Sequence, residues 1–106
     1  MDMNLLSLKD NKVLTYLDKA GIKRRQKGYR LLHKAILVFM DNSSLGCSEI
    51  CNKVSEELNL SLNERTIYTT TVYAIKHSSN SETRAKSMYQ FINDAGYDIQ
   101  REFLNM

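Results

Sequence analysis

Proline and tryptophan are absent from this 106-residue chain, glycine occurs four times and cysteine twice. Without proline, neither a polyproline segment nor a collagen-like repeat can be built, and no helix is interrupted by a residue lacking its amide hydrogen. Two cysteines, Cys47 and Cys51, are too few to staple a small secreted fold. Four apart on a predicted helix, they are expected as buried or half-buried thiols in a reducing compartment. They also offer at most two ligands where a structural zinc takes four, and cannot hold an iron–sulfur cluster. No apolar run nears the roughly 20 residues that span a bilayer, and the opening MDMNLLSLKD lacks a basic region followed by a long apolar stretch, so a cytoplasmic protein with no membrane partner is expected.

Signs of catalysis are as sparse. His33 and His77 lie far apart with no carboxylate at motif spacing, and Glu56-Glu57 reads as the solvated side of a helix. Gly46 stands alone where a phosphate-cradling loop needs several glycines. With nucleophile, base and charge stabiliser all missing, we expect no enzyme, no catalytic residue, no metal and no cofactor.

What is present is a helical grammar. Apolar residues recur at spacings of three and four, punctuated by polar loops, which predicts an all-α bundle of five to six helices in one domain over 10–106, behind a flexible tail at 1–9. A first helix is predicted over 10–20, with Val13, Leu14 and Leu17 inward and Gly21 as a left-handed residue closing it. A second covers 24–40, burying Tyr29, Leu32, Ile36 and Phe39. A third covers 48–58, with Ile50, Val54 and Leu58 on one face and Asn59-Leu60 turning the chain. Ser61 followed by Glu64 fits a capping box, so a fourth helix is predicted from Leu62 to Lys76 with Ile67, Thr71, Ala74 and Ile75 inward. A fifth is predicted over 82–95, with Ala85, Met88 and Ile92 inward and Gly96 ending it. The last ten residues are expected as a short turn or helix docking Phe103 and Leu104.

Charge is distributed unevenly. Seven of the fifteen Lys and Arg fall between Lys19 and Lys34, with no acid among them. At 100° per residue, Lys23, Lys27, Arg30 and Lys34 form one stripe opposite the apolar side of the second helix. A stripe of this kind suits a polyanion, and it also suits plain solvation.

The third helix, its short connection and the fourth have the proportions of a helix-turn-helix over about 48–76, in which the second helix enters a DNA major groove. The outward face of that helix carries Arg65, Thr66, Thr69, Tyr73 and Lys76. Arginine donates to guanine edges or phosphate, threonine meets a thymine methyl or a phosphate oxygen, tyrosine bonds phosphate and lysine neutralises it.

The run Gly21-Ile22, then Lys27-Gly28-Tyr29, Leu32 and Ala35-Ile36, resembles the DNA-binding effector domain of the sporulation master response regulator, the stage-zero sporulation protein A family, where the pattern is Gly-Ile/Val-Pro-Ala-His-Ile-Lys-Gly-Tyr. Fainter likeness runs through Ile50, Val54, Leu58-Asn59, Ala74-Ile75 and Gly96-Tyr97. The resemblance implies a helical domain that binds promoter DNA through a helix-turn-helix, usually as paired domains. The sequence departs from it in the recognition helix, where Arg-Val-Glu-Arg-Ala-Ile-Arg-His-Ala-Ile is replaced by residues 66–75, TIYTTTVYAI. Two arginines and a histidine are thereby lost, and the family's DNA sequence is not expected to be read.

Two functions follow as expectations. The first is a small sequence-specific DNA-binding transcriptional regulator with double-stranded DNA as partner, alone or as a homodimer. The second is a protein–protein interaction module or inhibitor that binds a regulator or a nucleic-acid enzyme, favoured by Tyr68, Val72 and Tyr73, which make the fourth helix more aromatic and apolar than DNA readers usually are.

Overall fold

Six helices follow one another, with no strand among the described residues: α1 (Asp2–Lys19), α2 (Lys27–Asp41), α3 (Cys47–Glu57), α4 (Glu64–Lys76), α5 (Ser81–Arg84) and α6 (Met88–Leu104). The computed structural model describes residues 2–105, with side chains from Leu8 onward. The all-α bundle expected from periodicity is present.

Nine of the 15 residues of α2 are buried, more than a single apolar stripe would bury, because α2 is the central helix and packs on α1, α3, α4 and α6. Around it Val13 and Leu17 of α1, Ile50 and Val54 of α3, Ile67 and Ile75 of α4, and Phe91, Ile92 and Ile99 of α6 close the core. The predicted inward residues of the first four helices are buried, except Leu14 and Leu58, which are half-buried at its edge.

Two helix ends use left-handed residues. Gly21 has φ 79°, and the amides of Gly21 and Ile22 donate to the carbonyls of Asp18 and Leu17 at 3.1 and 3.0 Å. This is the Schellman arrangement, with Ile22 and Leu17 both buried beneath it. Asn59, φ 57°, ends α3 the same way, with Leu60 N–H donating to Ser55 O at 2.9 Å.

Several predicted boundaries move. Met1 lies outside the described residues, but 2–9 of the predicted tail are the first turns of α1; nothing in the first twenty residues breaks a helix, since no glycine precedes Gly21. The α2 helix starts at Lys27, not Arg24, because 20–26 form the non-helical turn between α1 and α2. The Ser61–Glu64 capping box does not form. Asn63 is the N-cap, its side-chain oxygen accepting from Thr66 N–H at 2.8 Å, and Glu64 instead receives the Ser48 hydroxyl of α3. The predicted fifth helix is two: Ser87 caps α6 by accepting from Gln90 N–H at 3.1 Å, and Ala85 lies exposed at the break. Gly96 does not end a helix. It sits inside α6, where a methyl group would overlap the Phe39 ring of α2. Leu104 is 85% exposed and does not dock, whereas Phe103 is half-buried against the core.

The Asn63 cap sets where α4 starts, so Asn63→Ala is expected to lower stability by about 1 kcal/mol. Urea denaturation checks this, and Ser61→Ala, which removes no cap, should leave the midpoint unchanged.

Candidate nucleic-acid interface

The α2 and α4 helices cross at Gly28. A Cβ there would lie 2.6 Å from Ala74 Cβ and 2.7 Å from the Thr70 carbonyl oxygen, so the absence of a side chain lets the two backbones touch. The neighbouring Tyr29 fixes the same end of α2 from the other side, its hydroxyl donating to Asp18 Oδ1 of α1 at 3.0 Å. Arg24 grips that carboxylate with two bonds, of 3.2 and 2.7 Å, and those hydrogen bonds hold Asp18 below the usual carboxylate range. Gly28 and Tyr29 thus each have a packing cause.

This crossing merges two features that are separate in sequence. On one side of Gly28 a cleft is lined by Arg25 and Lys27 together with Thr69, Thr70 and Tyr73. On the other side a groove runs between Lys27 and Arg30, with Thr66 opposite and Leu31, Leu58, Leu60 and Leu62 as its apolar floor. The basic segment and the outward face of α4 are therefore one surface. Among the described residues no carboxylate stands within ion-pair distance of Arg25, Lys27, Arg30 or Arg65.

Lys27 occupies the first position of α2, whose first turn carries no acid and whose N-cap, Gln26, makes no side-chain capping bond. A cation at the positive end of a helix is a local mismatch, costing about 0.3–1 kcal/mol. The same end presents amides and positive charge outward, the combination that attracts anions.

The remaining predicted site residues divide. Arg65, Thr66, Thr69, Tyr73 and Lys76 are all exposed. The Thr69 hydroxyl donates to Thr66 O at 3.1 Å, which leaves its oxygen able only to accept. Tyr73 stacks on His77 with ring centroids 3.9 Å apart, and His77 Nδ1 must carry a proton, since it donates to the Tyr73 carbonyl at 2.8 Å. Arg65 faces the α3 side, beside Ser48, Cys51 and Tyr68. Two lysines are drawn off: Lys34 pairs with Glu57 of α3 at 2.8 Å, and Lys76 donates to Arg84 O at 3.1 Å near the α5 end. Lys23 is exposed in the loop before α2, short of the cleft lining. Arg25 joins the cleft although the helical wheel leaves it off the stripe, because 20–26 are not helical and the wheel does not apply there.

Burial pushes the Cys47 thiol up and the Cys51 thiol up to about 12, so neither is a ready nucleophile. Among the described residues no three of His, Cys, Asp and Glu gather as a metal-ligand group, and no helix is long and apolar enough to cross a membrane. Comparison with protein-family models, curated proteins and solved structures gives no match.

Proposed function

We propose that the protein is a small DNA-binding regulator that sets α4 against a duplex as the recognition helix, with α3 as its support and the first turn of α2 on the flanking phosphates. The observation that carries this reading is the Gly28 crossing, which joins the cations Arg25, Lys27 and Arg30 to the Thr66, Thr69 and Tyr73 face of α4. Phosphate contacts from the α2 end would set register, and the side chains of α4 would meet base edges.

Selection from random duplexes at low ionic strength tests both affinity and sequence preference. If Arg25, Lys27 and Arg30 each neutralise a phosphate, log K should fall with log salt at a slope of about −3. Arg65→Ala should lower affinity by about 1–3 kcal/mol if its guanidinium reads a guanine, and should relax preference at that base pair. No retention of any duplex at low salt would end this reading.

A second reading, a protein partner, is favoured by the groove floored with Leu31, Leu58, Leu60 and Leu62 and by the exposed rings of Tyr68 and Tyr73. Co-purification of one protein from the native host that survives nuclease treatment would select it.

A further inference from the structure

We infer that Cys47, Cys51 and Met88 form an all-sulfur site for a soft monovalent cation of the Cu(I) class, independently of whether α4 binds DNA. Cys47 opens α3 and Cys51 follows one turn later on the same face, the i, i+4 placement by which one helix offers two ligands to one ion. Both cysteines line one cleft, beside Glu64, Arg65 and Tyr68 of α4. Met88, the first residue of α6, brings its thioether sulfur to 3.8 Å from Cys47 Sγ. Thr71 Oγ1 of α4 lies 3.0 Å from that same sulfur, its single proton shared with the carbonyls of Ile67 and Tyr68 at 3.0 and 2.8 Å.

The donor set selects the ion. Thiolate and thioether ligands favour Cu(I), whereas zinc takes four ligands and hard cations take oxygens. Glu64, the carboxylate lining the same cleft, accepts the Ser48 hydroxyl, and the imidazoles are committed elsewhere, His33 to Asp10 and His77 to the Tyr73 carbonyl. Cys51 and Met88 are each 1% exposed, while half-buried Cys47 opens into a cleft bordered by Ser48, Arg65 and Tyr68, which gives the ion a way in. Binding is ligand exchange without change of oxidation state. Two S–H bonds break, two protons leave to solvent, two metal–thiolate bonds form and the thioether donates a lone pair. The resulting centre carries one net negative charge, in a cleft lined by one cation, Arg65, and one carboxylate, Glu64.

The test is an anaerobic titration of the full chain with Cu(I) in competition with the chromogenic chelator bicinchoninate, beside X-ray absorption of the loaded protein. One equivalent bound, with three sulfur neighbours around copper, is the expected result. Cys47→Ser should weaken binding by at least roughly a hundredfold, and the volume-conserving Met88→Leu by roughly tenfold, bracketing the losses known for altered metal surroundings. Circular dichroism establishes that each variant is folded. Wild-type affinity in folded Met88→Leu, a copper shell with two sulfurs or with nitrogen or oxygen neighbours, or competition by the wild type no better than Cys47→Ser would each overturn the assignment.

Discussion

Gly28→Val is expected to destabilise the protein by about 3 kcal/mol, at the upper end of what overpacking usually costs. The atoms that a Cβ at 28 would meet are Ala74 Cβ and the Thr70 carbonyl oxygen, at 2.6 and 2.7 Å. Neither belongs to the movable end of a side chain, so relief requires α2 and α4 to separate. Valine adds two further carbons and a stiff χ1, which leaves it no rotamer of escape. Because α2 is the helix on which the others pack, separation disturbs the whole core. A loss of this size corresponds to a fall in Tm of roughly 10–20 °C for a domain of this length. Gly46→Ser is the matched control. A Cβ at 46 meets only Glu49 Oε1, at 3.5 Å, and serine is a better N-cap, so the midpoint should stay or rise slightly. A Gly28→Val midpoint within about 3 °C of wild type would show that the crossing is looser than its distances state.

The double charge reversal Lys27→Glu/Arg30→Glu is expected to weaken duplex binding by roughly a hundredfold at low salt and to flatten the salt slope by about two, one for each phosphate no longer neutralised. Folding should move the other way. An acid in the first turn of α2, where there is none now, agrees with the helix dipole, so thermal stability should hold or increase. Opposite signs in the two measurements separate a weakened interface from a damaged fold. Equal duplex affinity in the variant would remove α2 from the interface.

The sequence made the helices and their inward faces readable because burial there follows a local period. Val13 and Leu17, Ile50 and Val54, and Ile67 and Ile75 all lie where three-and-four spacing puts them. Gly21 and Asn59 were legible as helix ends for a similar reason, since each sits directly after its last apolar turn. Gly96 followed the same cue and misled, because what demands a glycine there is the Phe39 ring, brought in by another helix. Asn63 took the cap from Ser61 once Asn59 and Leu60 had consumed residues in the turn, and no local rule ranks two capping residues two positions apart. The site shows the same division. The cations and the threonine face were each visible, but their union depends on the Gly28 crossing, and the third sulfur, Met88, comes from a segment far along the chain.

The loop that carries the cations is not free to wander. Ser78 Oγ donates to Ala20 O at 2.6 Å and Ser79 N–H donates to Gly21 O at 3.2 Å, so the turn leaving α1 is stitched to the turn leaving α4. Two hairpins that are polar and glycine- or serine-bearing, and that look from their composition like places to cut or splice the chain, behave as one seam. Engineering that grafts a tag, a new terminus or a permuted junction into 77–80 would therefore shift the charges at 23–27 by way of the backbone, without altering a residue of the binding surface.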